Sequence, residues 1–363
     1  MTHETGTKRI SLLLGAGFCV PAGLPTSNQL AETFKTYIND KARSDNHSLL
    51  KFLHFYIEGG IRLQRAKQGK DPSESVNIEE IAVAARCLNT RELNPLAPFI
   101  SGWHPHLNEM LGKDPDLILS YLDCFNDHLL QSLKVPDSDK IAWMDRIAEC
   151  AYQFNEIDIF SLNYDCCLET ALNSYCVGHT DLKVADGFDE HGWKPELFQK
   201  PPDVKASMRL YKMHGSLDWV DSEEYGLMCT SKVNPEILEE FLGYPPHLVF
   251  GTEFKLTGAQ PFFTMAHLFF ENLTEANALV VIGYSFSDEY INSLIQQSQR
   301  QNPELQLIIV NPNAADLERD SLFLKGMQNK YFEAEDAKKL ISDHGLTKLL
   351  KRLLASNNAE APF

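Results

Sequence analysis

Five short apolar runs, rich in branched side chains, punctuate the chain, and each stops abruptly at glycine or polar residues. "RISLLL" (9–14) runs into Gly15-Ala16-Gly17, "IDIFSL" (157–162) into Asn163-Tyr164-Asp165, and "RLYKM" (209–213) into His214-Gly215-Ser216. "ALVVI" (278–282) meets Gly283-Tyr284-Ser285, and "LQLIIV" (305–310) meets Asn311-Pro312-Asn313. Short runs without strict alternation predict strands buried on both faces, as in a parallel sheet, and helical patterns such as "SDEYINSLIQQSQR" (287–300) supply the connections. The expected fold class is therefore α/β. In an open parallel sheet all five endings share one edge, where ligands bind near the reversal of strand order.

Residues from about 40 to 150 read differently. "NIEEIAVAARCL" (77–88) and "DLILSYLDCFNDHLLQSL" (116–133) carry helical apolar spacing with no central strand between them, which predicts a large helical insertion. "KQGKDPSES" (67–75) is polar enough for a loop whose charges are simply solvated. The closing stretch "AKKLISDHGLTKLLKRLLAS" (337–356) sets six leucines among Lys and Arg, which predicts one amphipathic helix over about 334–355.

Composition narrows the classes. The 363 residues include 44% hydrophobic ones, enough for a substantial core, while 33 basic against 50 acidic residues give a net charge of −17 that repels phosphate backbones. Direct nucleic-acid binding is not expected. The opening "MTHETGTKRI" has no apolar leader core, and no later run approaches the ~20 apolar residues needed to span a bilayer, so a cytoplasmic, membrane-free chain is expected. None of the eight cysteines forms a C-x-x-C pair, so a structural zinc site of the usual spacing is absent and no metal ligand is assigned. His104 and His106 in "WHPH" have no Cys or acidic neighbours and read as loop residues.

The candidate chemistry sits at the strand ends. Gly15 and Gly17 would let the backbone approach a pyrophosphate at a helix N-terminus, although Val20 replaces the third small residue of the usual dinucleotide fingerprint and a plain tight turn is the alternative. Asp165 suits a helix cap, which leaves Asn163 to be explained. His214 is either a hydrogen-bonded core residue or an acid–base group.

Taken in order, these segments resemble the sirtuin-type NAD-binding fold, a Rossmann-like parallel sheet, and within it the bacterial sirtuin-like (Sir2-type) antiphage defence branch. Gly15 to Pro25 is similar to the family's G-A-G-x-S-x-x-x-G-x-P loop, with Cys19 in place of Ser; Asn163-Tyr164-Asp165 resembles its Asn-x-Asp segment and His214-Gly215-Ser216 its His-Gly-Ser. "VFGTEFK" (249–255), "VVIGYSFSDEYI" (280–291) and "VNPN" (310–313) resemble its later nucleotide-contacting loops. The zinc module of deacylating sirtuins is missing, and Thr26-Ser27-Asn28 replaces their acidic-Phe-Arg segment. The resemblance thus implies an NAD glycohydrolase with NAD as substrate and no zinc. It implies catalytic roles for Asn163 and His214 and cofactor contacts from Gly15, Ala16, Gly17, Asp165, Gly283, Ser285 and Asn311. Asp165 is left between ribose binding and helix capping, and Tyr284 is expected to pack. Two other classes stay open, an ADP-ribosyl or acyl-lysine transfer enzyme using the same cleft and a noncatalytic NAD-binding scaffold. Resemblance to compact family members further implies a homo-oligomer paired with a HerA-type ATPase.

Overall fold

Each of the five apolar runs is a strand, and together they make the middle of one parallel sheet. The computed structural model describes residues 8–44, 48–93, 105–199, 204–250, 260–342 and 344–356. The strands are β1 (Ile10–Leu14), β2 (Glu156–Ser161), β3 (Leu182–Ala185), β4 (Ala206–Lys212), β5 (Ala278–Ile282), β6 (Gln306–Val310) and β7 (Lys330–Glu333), in the spatial order β7-β6-β5-β1-β2-β4-β3. All neighbours are parallel. Every residue of β1 and β5 is buried, as expected of central strands covered on both faces. The two strands of this sheet absent from the sequence reading, β3 and β7, are its edges. Both are four residues long and only partly buried, so they lack the continuous apolar run that marks the others.

Register explains why the polar endings converge. Val310 pairs with Ile282, Ile282 with Leu14, Leu14 with Ser161, and Ser161 with Lys212. The five central strands therefore stop in one row, and the residues that follow leave the sheet side by side. From β1 the chain crosses to β2 on one side, whereas from β5 it crosses to β6 on the other. The reversal of strand order lies between β1 and β5.

By its contacts the chain divides into two compact units, residues 25–134 and the remainder. The first is all helical, with Ser27–Ser44, Ser48–Lys67, Ile78–Asn89, Pro105–Lys113 and Leu117–Ser132. Phe34 sits at its centre, edge-on to Tyr121 and Phe125. Asn77 and Glu80 form a reciprocal capping box that starts Ile78–Asn89. Helix begins at Ser27, earlier than the expected position near 40. At the other end Ala148–Phe154 belongs to the sheet unit, where it packs on β2 and β4.

The closing segment differs from the single helix expected. It is two helices, Ala337–Ser342 and Gly345–Ser356, and the second starts just after His344, which has a left-handed φ of 57°. A left-handed residue ends one helix and redirects the chain into the next. Leu340, Leu346, Leu349, Leu350 and Leu354 are buried within their own unit. Among the described residues no helix is long and apolar enough to cross a membrane.

Candidate functional site

The first and fourth loops along the strand ends touch through their backbones. Gly15 N donates to Ile282 O at 3.0 Å and Gly17 N to Gly283 O at 2.9 Å. A Cβ on Gly15 or Gly17 would lie 2.7–2.8 Å from the backbone of Gly283 and Tyr284. A Cβ on Gly283, whose φ is +67°, would lie 2.2 Å from Phe18 N. The glycines at 15 and 17 are thus required by loop-to-loop packing, which the sequence reading had assigned to pyrophosphate approach. Nor does an α-helix follow directly. Ala16–Phe18 and Val20–Ala22 are single 3-10 turns, so the expected long-helix N-terminus is not at Gly17.

Asn163, Tyr164 and Asp165 follow β2 and are all buried. Asp165 Oδ1 accepts from Cys167 N at 3.0 Å, capping the helix Cys167–Cys176, and also from Cys19 Sγ at 3.4 Å. Asn163 Nδ2 donates to Cys19 Sγ at 3.4 Å, while its Oδ1 is buried without a hydrogen bond among the described residues. Cys19 therefore joins the first loop to the second. The hydrogen bond to Cys167, burial and the Asp165 charge together push the Cys19 thiol well above its ordinary range.

His214 follows β4 and is 2% exposed. Its Nε2 lies 3.0 Å from Asp288 Oδ2, so this imidazole reaches from the β4 loop to the β5 loop over the ends of β1 and β2. Asp288 is itself fixed as the cap of Glu289–Gln301, accepting from Tyr290 N at 3.0 Å and Ile291 N at 3.3 Å. Tyr284 packs as expected, and its hydroxyl donates to the Asp288 carbonyl at 3.1 Å. With Nε2–H donating to Asp288, the His214 lone pair is at Nδ1, which is buried and makes no hydrogen bond among the described residues. The sequence reading gave Asp288 no role.

A charged layer lies beneath these loops. Lys212, the last residue of β4, is buried, ion-paired to Glu169 Oε1 at 2.7 Å and hydrogen-bonded through Nζ to the Asp165 carbonyl. Burial alone would lower the Lys212 ammonium, but Glu169, Cys166 and Asp165 outweigh it and raise it well above the ordinary lysine range. Burial raises Glu169 to about 7 despite the pull of Lys212. Sequence reading missed both groups, since a lysine closing a strand carries no motif.

The remaining expected residues stand apart. Ser285 is exposed, with its Oγ 2.9 Å from Ser287 Oγ, and Asn311 accepts from Asn313 N at 2.8 Å while its own N donates to Glu333 O. Their described hydrogen bonds stay within the β5–β7 loops. Ala16 opens the first 3-10 turn. Of "VFGTEFK", residues 251–255 lie outside the described residues, as does His104.

Residues 158–335 match the SIR2-like domain family, a range that holds Asn163, His214, Gly283 and Asn311 but not the first glycine loop. No curated protein sequence matched. Among solved structures, the chain is similar to a Sir2 homologue in complex with NAD, at 12% identity over 96% of this chain and 91% of that one, with a TM-score of 0.43. It is similar also to Sir2 in complex with the inhibitor EX-527, 2′-O-acetyl-ADP-ribose and deacetylated p53 peptide, at 12% identity over 95% and 93% of the chains and a TM-score of 0.42. A third is Sir2Tm bound to a propionylated peptide, at 11% identity over 95% and 92% and a TM-score of 0.39. None of the three assigns a residue or an activity to this chain. The chain is an α/β protein whose residues 158–335 match the SIR2-like domain family.

Proposed function

We propose that this chain hydrolyses NAD at the bond between nicotinamide and ribose, releasing nicotinamide and ADP-ribose. One observation carries the reading. Two side chains leaving neighbouring strands, Asn163 after β2 and His214 after β4, each keep one buried polar atom without a hydrogen bond among the described residues. An orphaned buried acceptor costs about 1–3 kcal/mol, so a pair of them at the carboxyl ends of neighbouring parallel strands suits a ligand rich in hydroxyl donors. The SIR2-like match over residues 158–335 and the likeness to the order of sirtuin segments point to NAD as that ligand.

The chemistry asks little of a base until late. Nicotinamide departs as a neutral molecule from a positively charged centre, leaving an oxocarbenium-like ribose. The protein must orient the sugar, tolerate that charge and supply water. Asn163 holds ribose hydroxyls or the water through its amide oxygen. His214 Nδ1, aimed by the Nε2 bond to Asp288, takes the proton from a hydroxyl or from the incoming water. Gly15, Ala16, Gly17 and Gly283 bring the backbone near the phosphates without offering the Gly15, Gly17 and Gly283 amides, which donate to Ile282 O, Gly283 O and Val310 O, and Ser285 and Asn311 reach the outer phosphate or the adenosine ribose. Asp165 serves chiefly as the cap that holds this loop, since its Oδ1 already accepts from Cys167 N and Cys19.

The reading extends to control. An ungated NAD hydrolase drains a cofactor that its own cell needs, and the defence-family likeness suggests antiphage action through a homo-oligomer paired with a HerA-type ATPase. Because Leu340, Leu346, Leu349, Leu350 and Leu354 are already buried in this chain, we assign that contact to other surfaces. Light scattering, alone and with such an ATPase, tests the assembly.

The activity test incubates purified chain, in its assembled form, with NAD and follows nicotinamide, ADP-ribose and modified protein. Asn163→Ala and His214→Ala should each cut turnover by about 10²- to 10⁴-fold while the circular dichroism spectrum is kept. Normal turnover in either folded variant removes that residue from the mechanism, and protein modification in place of free ADP-ribose replaces hydrolysis by transfer.

A further inference from the structure

Cys19 and Cys167 are far apart in sequence, and no motif links them, yet the first and second loops bring them together. Their sulfurs and a carboxylate oxygen of Asp165 all lie within 4.8 Å of one another, and all three residues are buried. Cys19 Sγ is 3.4 Å from Asp165 Oδ1 and 3.4 Å from the Asn163 amide nitrogen. With metal–sulfur bonds of about 2.3 Å and metal–oxygen bonds of about 2.0–2.2 Å, a sulfur and an oxygen at adjacent corners of a tetrahedron lie roughly 3.5 Å apart. The observed separation is already that of a coordinated pair.

We propose that Cys19, Cys167 and Asp165 form a three-ligand binding site for a thiophilic divalent cation of the zinc class, with water completing the tetrahedron. Two sulfurs select such an ion over magnesium or calcium, which take oxygen ligands. Binding exchanges protons for metal: the ion meets two thiols and one carboxylate, two sulfur–hydrogen bonds break, two metal–sulfur bonds form and two protons enter solvent. No electron is transferred.

Cobalt(II) makes the site visible, because thiolate coordination gives intense near-ultraviolet charge-transfer bands and a tetrahedral site gives strong bands in the red. Reduced full-length chain, stripped with a chelator and titrated without oxygen, should develop both sets of bands, saturate at one cobalt per chain and lose them when zinc is added. A pH-stat should record two protons released per zinc. Cys19→Ser and Cys167→Ser should each abolish the charge-transfer bands, Cys166→Ser should keep them, and Cys19→Ala repeats the test if a serine variant fails to fold. Absence of the bands in the parent, or their survival in folded Cys19 and Cys167 variants, overturns the proposal. No step uses NAD, so the outcome is separate from the hydrolase reading.

Discussion

Gly283→Ala adds one methyl group at the tightest backbone contact between the strand-end loops. The new Cβ would lie 2.2 Å from Phe18 N and 2.4 Å from Gly17 C, and neither is a side-chain atom that can rotate away. Heavy atoms prefer about 3.5–4.0 Å, so the β1 and β5 loops must part by roughly 1 Å or more. That movement strains the bonds from Gly15 N to Ile282 O and from Gly17 N to Gly283 O. Two costs add. Holding alanine at the left-handed φ of +67° costs about 1–2 kcal/mol, and forcing a methyl into close packing costs about 1–3 kcal/mol. The expected loss is therefore about 2–5 kcal/mol. Gly23→Ala isolates the first cost, because Gly23 also has a left-handed φ, +96°, but nothing lies within 4 Å of its added Cβ. Urea denaturation of the parent and both variants, followed by circular dichroism, measures the difference. Equal losses from the two substitutions would refute the argument that these glycines exist for loop-to-loop contact.

Glu169 gives a pH signature. Folding raises it from its ordinary value of 4.5 to about 7, so the folded chain holds this proton more firmly, and the associated stability, present in full below pH 4.5, is lost as pH rises through 7. The full shift corresponds to about 3 kcal/mol, and Glu169→Gln should flatten the stability-versus-pH slope between 4.5 and 7 even though it lowers stability throughout; parallel slopes would discard this assignment. Asp288→Asn keeps an N-cap of equal quality but no longer demands a proton on His214 Nε2. NAD turnover should fall about 10²-fold at unchanged melting temperature and nearly unchanged KM, and unchanged turnover would make Asp288 a cap and nothing more.

The sheet was legible where burial is two-sided. β1 and β5 show it best, because a strand covered on both faces must be apolar at every position, and that signal needs no knowledge of the neighbours. β3 and β7 escaped because an edge strand is half wet and short. The closing helix was drawn as one because its leucine spacing continues across His344, while the break is a backbone event that the spacing does not record. At the site, Asn163, Asp165 and His214 were visible as polar residues closing apolar runs. Their partners were not. Asp288 in "SFSDEYI" was given no role, and its bond to His214 joins residues that only the sheet order brings together. Gly17 was read for an approach to phosphate, whereas its approach in the fold is to Gly283.

The orphaned atoms persist because the backbone around them has no freedom to satisfy them. Tyr164 O accepts from Leu217 N at 3.0 Å, and Asp165 O accepts from the Lys212 ammonium, so both carbonyls after Asn163 are held by the end of β4 and the segment following it. Gly215, at a left-handed φ of +86°, turns that segment so tightly that an added Cβ would lie 2.1 Å from His247 O. His214 is thereby fixed at its backbone and, through Asp288, at its Nε2. Lys212 is the hinge of this arrangement: its side chain spans from the end of β4 to the Asp165 carbonyl, and Glu169 keeps its charge tolerable in the interior. Removing one partner of a buried ion pair costs about 3–5 kcal/mol, because the other charge is left buried and unpaired. The polar layer holds two loops in one register, and in that register Asn163 Oδ1 and His214 Nδ1 make no hydrogen bond among the described residues.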